Sequence, residues 1–348
     1  MYKFIIRPLL FLLSPENIHH LVVYVLRNLQ KCNGVSKMIR YFFNYEHIYL
    51  EREIWGLKFK NPIGFAAGFD KKAEIFNILG DFGFSHIEVG TITPEAQSGN
   101  PKPRLFRVKK DKALINRMGF NNIGIKKTIR NLEKLKPNVI IGINIGKNTS
   151  TPNEEAINDY KRCFSELFDY GDYFTINVSC PNVKDLNKLQ DKSYLLNLLN
   201  ELQLINNSKN KRKPILLKIS PDLNIEQIDE IIEIVQLTNI DGIVATNTSS
   251  QRYNLTTDKQ IIENTGNGGL SGLPLRERST EVISYIAKKT DYKLPIIGVG
   301  GIFDYKDAIE KVKAGAWLIQ LYTGYIYEGP WVVKQINKEL LKNKVYDN

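Results

Sequence analysis

Cysteine is scarce in this chain: Cys32, Cys163 and Cys180 are widely spaced among 348 residues and form no C-x-x-C pair. That excludes a disulfide-built scaffold and a zinc ribbon, and it suits a reducing compartment. Long hydrophobic runs are missing as well. The early apolar stretch over residues 4–13 contains Arg7 and Pro8 and no small-residue cleavage site follows it. Neither a secretory leader nor a spanning helix of about 20 apolar residues is therefore expected. Charge of one sign is abundant but not concentrated: 48 Lys and Arg against 37 Asp and Glu give +11, with no long basic block. A nucleic-acid partner is accordingly not expected. With 43% hydrophobic and 10% aromatic residues the chain is neither disordered nor fibrous. Its length suits one large domain, since an α/β barrel takes about 250 residues.

The first fifty residues have their own pattern. Ile5, Ile6, Leu9, Leu10 and Leu13 share one helical face, and after the start signal Ser14-Pro15-Glu16 a second stripe runs through Ile18, Leu21, Val22, Val25, Leu26 and Leu29. Two short amphipathic helices are expected over 1–50, either packed on the main domain or lying on a membrane surface. From residue 51 to 348 the pattern changes. After a small hairpin at 55–59, apolar runs fall at 62–66, 85–90, 139–145, 173–178, 214–219, 241–246, 295–299 and 317–321. They are continuous rather than alternating, as parallel strands covered on both faces should be, and helical patterns such as 156–170, 194–205, 225–237 and 280–289 separate them. The expected fold is α/β: a (β/α)8 TIM barrel with an N-terminal helical hairpin.

Active sites of such barrels form at the carboxyl ends of the strands, and here those ends are polar and glycine-rich. Gly298-Val299-Gly300-Gly301, with Asp304 at a helix start, and Tyr322-Thr323-Gly324 follow the last two runs. Bare backbone amides there suit a phosphate, and Ser271-Gly272 offers another close backbone approach. Asn116, Asn144, Asn177, Asn182 and Asn247 form a second group. Each carboxamide both donates and accepts, so several converging on one ligand suit a flat heterocycle with alternating N–H and C=O edges. Lys71 suits a carboxylate. Lys218 sits on the expected barrel axis, either as a Schiff-base nucleophile of an aldolase or as a charge that stabilises an anionic cofactor ring. Cys180 is either a small buried hydrophobe or, between two asparagines at a catalytic face, a proton-transfer group.

Four motifs in order, Gly64-Phe65-Ala66-Ala67-Gly68-Phe69-Asp70-Lys71, Asn116-Arg117-Met118-Gly119-Phe120-Asn121-Asn122, Gly142-Ile143-Asn144-Ile145-Gly146-Lys147-Asn148 and Pro295-Ile296-Ile297-Gly298-Val299-Gly300-Gly301, resemble those of the dihydroorotate dehydrogenases. The N-terminal helices with His19 resemble the membrane-associated, quinone-using class. The resemblance implies FMN held by Ala67, Gly68, Thr91, Asn144, Asn177, Lys218, Thr246, Gly272, Gly301, Tyr322 and Thr323. It implies dihydroorotate and orotate held by Lys71, Asn116, Arg117, Met118, Gly119, Phe120, Asn177, Asn182, Asn247 and Thr248, with His19 and Arg107 on the quinone route. Cys180 takes the position of the catalytic base, where the quinone class generally has serine and the soluble class cysteine. Val183-Lys184-Asp185 likewise departs from the family's usual Thr-Pro-Gly. An acceptor of the soluble type, fumarate or a nicotinamide, is the alternative to a membrane quinone. The expected location is peripheral, on the cytoplasmic face of a bacterial inner membrane.

Overall fold

The structure is a computed structural model and describes residues 1–179 and 191–346. Its strands are β1 (Arg52–Ile54), β2 (Leu57–Phe59), β3 (Ile63–Phe65), β4 (His86–Ile92), β5 (Leu105–Val108), β6 (Ala113–Asn116), β7 (Ile140–Ile145), β8 (Tyr173–Asn177), β9 (Ile215–Ile219), β10 (Gly242–Ala245), β11 (Gly269–Gly272), β12 (Ile296–Val299) and β13 (Leu318–Leu321). Eight of these close into a barrel in the order β3-β4-β7-β8-β9-β10-β12-β13, every pairing parallel. They coincide with the eight apolar runs. Helices Ala156–Leu167, Lys192–Asn207, Ile225–Leu237 and Arg276–Lys289 lie where the periodicity puts them, with ends differing by a few residues.

Two apolar layers hold the barrel. Inside, Ala66, Tyr173, Leu216, Val244, Ile297 and Leu318 pack on one another, and the β1–β2 hairpin closes the amino end with Ile54 and Phe59. Trp55 at the hairpin tip donates its indole N–H to the carbonyl of Asp241, 2.8 Å away. Outside, the strands' other faces pack on the helices in a larger core to which Val23, Ile39 and Leu50 also belong. The N-terminal segment thus shares the core of the barrel.

Helix Pro15–Leu29 begins at Ser14, whose hydroxyl accepts from the N–H of Asn17, and presents Ile18 and Val23 inward. It leaves Leu21, Tyr24 and Val25 exposed, and Phe4, Leu9 and Leu12 are exposed on the preceding turns. No single helix among the described residues is long and apolar enough to cross a membrane; Tyr2–Leu10 and Pro15–Leu29 pass that test only as a pair bent by 114°.

Two elements are absent from the sequence expectation. A third N-terminal helix, Asn33–Phe43, packs against helices Phe76–Asp81 and Trp331–Lys342. An antiparallel sheet β11-β6-β5 covers part of the barrel mouth. Its strands come from the insertion after β4 and the segment after β10, so Asn116 stands on this lid sheet and not at the end of a barrel strand.

Candidate active site

The carboxyl ends of the barrel strands and the lid sheet enclose a cavity of about 1210 Å3, counted out to its mouth. The expected residues converge here from distant parts of the chain. Ala67, Gly68 and Lys71 follow β3, Thr91 ends β4, Asn177 ends β8, Lys218 lies in β9, and Thr246, Asn247 and Thr248 follow β10. Asn116, Met118, Gly119, Phe120 and Gly272 come from the lid, and Gly301, Tyr322 and Thr323 from the turns after β12 and β13.

Three expected residues do not line this cavity. Asn144 is fully buried beneath the floor. Arg117 turns its guanidinium away, donating to the carbonyls of Thr265 and Pro103 and lying over the Phe106 ring, 4.8 Å from its centroid. Arg107 donates to the carbonyls of Leu13, 2.7 Å, and Phe11, 3.4 Å, and stacks on the Phe11 ring, so it ties the N-terminal turn down. Cys180 and Asn182 lie outside the described residues.

The floor is a buried polar network of which the sequence reading named Thr91, Asn144, Asn177, Lys218 and Asn247 but missed Glu88, Thr175 and Gln320. Glu88, mid-strand in β4 and fully buried, is its root. Its Oε1 accepts from Asn144 Nδ2 at 2.8 Å, and its Oε2 from Gln320 Nε2 at 3.0 Å and Thr175 Oγ1 at 3.2 Å. Lys218 Nζ stands 3.6 Å from Oε1, and both side chains are almost wholly out of water. A lone acid inside an apolar strand is the sequence signal, because burying a carboxylate requires a paired cation or several donors. Asn144 Oδ1 accepts from Thr91 Oγ1 and from Asn177 Nδ2, and Asn177 Oδ1 accepts from Asn247 Nδ2 at 3.1 Å. Asn247 also donates to Ser179 Oγ and accepts from the Thr248 N–H.

At one side of the cavity the chain approaches itself backbone to backbone. A Cβ on Gly324 would sit 1.8 Å from the Ile302 carbonyl oxygen, and one on Gly272 2.4 Å from that of Lys112. A Cβ on Gly301, at φ +71°, would sit 2.4 Å from the Arg276 backbone. Only glycine fits at these points. Among the described residues no hydrogen bond engages the N–H of Gly301 or Thr323, which leaves both available to a ligand. Asp304 caps helix Tyr305–Lys313 behind this turn, and Asp307 accepts from the N–H of Phe303 and from Arg276.

At the other side the cavity opens toward helix Pro15–Leu29. His19 lines it, edge-on to Phe69 with ring centroids 4.9 Å apart. Burial, with the nearby Lys71 charge, pushes the His19 pKa down to about 3, so the ring is neutral at physiological pH. Leu105 and Leu114 add apolar wall. Glu16, one turn before His19, is buried and accepts from Arg104 Nη2 at 2.8 Å and Nε at 3.1 Å. Arg104 in turn donates to the Ser98 and Asn100 carbonyls, and Asn100 pairs with the backbone of Arg117 and Met118. The N-terminal helix and the ligand-facing strip 116–120 are therefore parts of one hydrogen-bonded unit.

Residues 49–343 match the family described as Dihydroorotate dehydrogenase. The chain is 54% identical over 342 residues to "Dihydroorotate dehydrogenase (quinone)" of Christiangramia forsetii, covering 98% of this chain and 99% of that protein. It is 46% identical over 354 residues to the protein of the same name from Thermosynechococcus vestitus, covering 98% and 96%. The crystal structure of DHODH from Eimeria tenella in complex with ferulenol superposes with a TM-score of 0.82 at 34% identity, covering 94% of this chain and 91% of that one. On this match over nearly its whole length, the chain belongs to the dihydroorotate dehydrogenase family.

Proposed function

We propose that this protein oxidises dihydroorotate to orotate in pyrimidine biosynthesis with FMN as its cofactor, and that a membrane quinone takes the electrons. The observation that carries the reading is the convergence of Lys218, Asn177, Asn247 and the glycine turn after β12 on one cavity whose other side opens to His19. The donor set fits FMN. The free N–H groups of Gly301 and Thr323 suit its phosphate, the carboxamides suit the edges of its ring, and the Lys218 ammonium suits negative charge on that ring. When bound, FMN supplies a two-electron acceptor for the hydride that leaves C6 of dihydroorotate.

The protein's own groups do the rest. Lys71, held by the Gly68 carbonyl at 2.6 Å, is the cation for the substrate carboxylate. Asn116, Asn177, Asn247 and Thr248, with Asn182 beyond the described residues, hold the ring amides. Met118, Gly119 and Phe120 wall the substrate side, whereas the Arg117 guanidinium is engaged elsewhere and its backbone N–H and carbonyl pair with Arg104 and Asn100. Cys180, the next residue in the sequence after Ser179, removes the C5 proton. A thiol with an ordinary pKa of about 8.5 is a far better proton acceptor at neutral pH than a serine hydroxyl. The quinone approaches between helix Pro15–Leu29 and the lid, past His19, while Arg107 fixes the turn that borders this route. The exposed apolar side chains of Phe4, Leu9, Leu12, Leu21 and Tyr24 face the membrane surface, which the protein binds peripherally on its cytoplasmic side.

Anaerobic stopped flow tests the reading. Dihydroorotate should bleach the flavin absorbance of the purified protein. Cys180→Ala should slow that bleaching about 10²- to 10⁴-fold while orotate still binds. Colourless protein that cannot take up FMN overturns the cofactor, and bleaching at the unmodified rate in Cys180→Ala overturns the base.

A further inference from the structure

We infer that Glu88 is a positioning residue for this site: it sets the donor and acceptor direction of the carboxamide chain Asn144–Asn177–Asn247 and balances the charge of Lys218. The inference rests on the reading of the cavity as an FMN and orotate site.

A carboxylate can only accept. Asn144 must therefore turn its NH2 toward Glu88 Oε1, 2.8 Å away, which aims its Oδ1 at Asn177. Asn177 then has to present its NH2 to Asn144, at 3.2 Å, so its own Oδ1 faces Asn247. Asn247 answers with its NH2 at 3.1 Å, leaving its Oδ1 on the Thr248 N–H at 2.8 Å. Each amide could flip at small cost in isolation. The acceptor-only Glu88 at the root, together with the donor-only Thr248 N–H at the far end, removes that freedom from all three. The ligand consequently meets a single pattern of lone pairs and N–H groups.

The electrostatic half of the argument is separate. Glu88 is the only anion among the described residues that pairs with Lys218, at 3.6 Å, and no water reaches the carboxylate. Removing its charge leaves a buried, uncompensated ammonium lining the cavity proposed for FMN, where it would favour the more negative, reduced state of the bound flavin. The other three partners of Glu88, from Asn144, Thr175 and Gln320, are neutral and cannot replace the lost charge.

The test compares wild type, Glu88→Gln and Glu88→Asp in the full-length protein, reading the midpoint potential of bound FMN and the orotate dissociation constant from its spectral shift. Glu88→Gln is isosteric but neutral and offers an NH2 where an acceptor stood. It should move the potential to more positive values and weaken orotate about tenfold, the worth of one misdirected hydrogen bond. Glu88→Asp keeps the charge but is a methylene too short to hold Asn144. It should leave the potential near that of wild type while weakening orotate similarly. An unmoved potential in Glu88→Gln overturns the charge balance, and wild-type orotate affinity in Glu88→Asp overturns the amide direction even should Glu88→Gln fail to fold. Wild-type protein that binds neither FMN nor orotate contradicts the proposed function itself, whereas wild-type binding with unmoved variants contradicts only Glu88.

Discussion

Gly301 illustrates how a residue's role is decided by what surrounds it. Read from sequence, a side chain there should block the approach of a phosphate. In the structure its Cβ would instead meet the Arg276 backbone at 2.4 Å. Gly301→Val should therefore push the turn after β12 off the start of helix Arg276–Lys289, and lose flavin through displacement of that turn. The expected result is substoichiometric flavin absorbance together with a lowered Tm; full occupancy with unchanged Tm would contradict it. Residue types were legible where a polar group ends an apolar run, as with Asn177, Lys218 and Asn247. Direction was not. Nothing local in Asn116-Arg117-Met118 says that the Arg117 guanidinium turns to Thr265 and Pro103, because those acceptors come from remote loops. Glu88 was overlooked since its partners lie on four other strands, β7, β8, β9 and β13.

Among elements, the eight barrel strands were legible because both faces of each are covered, which leaves an unbroken apolar signature. The lid sheet was not: its three strands have only four residues each, and although β5 and β6 pair locally, β11 joins β6 across more than a hundred residues of chain, as in Asn116 with Gly269. Lid and N-terminal helix are joined by the buried Glu16–Arg104 pair, both side chains under a tenth exposed. Glu16→Ala leaves Arg104 buried without its anion, a loss on the order of 3 kcal/mol for a buried pair. Helix Pro15–Leu29 should loosen, seen as new cleavage within residues 1–45 under limited proteolysis. Quinone reduction should fall more than the rate of flavin bleaching by dihydroorotate. An equal fall in both, without new cleavage, would show that the pair does not couple these elements.

For the whole molecule, acid stability follows from buried imidazoles. His86, packed inside the barrel against Gly64, and His19 both have pKa values pushed down to about 3, in each case chiefly by burial. A histidine depressed on folding is neutral in the native state, so unfolded chains bind more protons below about pH 6.5. Their contribution is complete above that pH and is lost progressively as pH falls toward 3. Burial works to raise the Glu16 pKa, but hydrogen bonds and charge from Arg104 and Lys102 outweigh it and hold the carboxyl below 4.5. Its share is present above that value and disappears only in stronger acid. Chemical unfolding should show stability declining as pH falls from about 6.5 toward 4, the two imidazoles outweighing buried Asp70, whose pKa is pushed up to about 6 and whose contribution has the opposite sign; stability unchanged from pH 6.5 to 4.5 would place water at those rings.

In the proposed function, electrons enter from dihydroorotate on the lid side and leave to a quinone past His19. The most direct measurement reduces the full-length protein in detergent micelles anaerobically with dihydroorotate, then mixes it separately with a short-chain quinone, fumarate and NAD+ and follows the return of flavin absorbance. Rapid reoxidation by the quinone alone is the predicted result. Reoxidation by fumarate or NAD+ with an inert quinone would contradict it, and would assign this chain the acceptor that its cysteine at position 180 otherwise suggests.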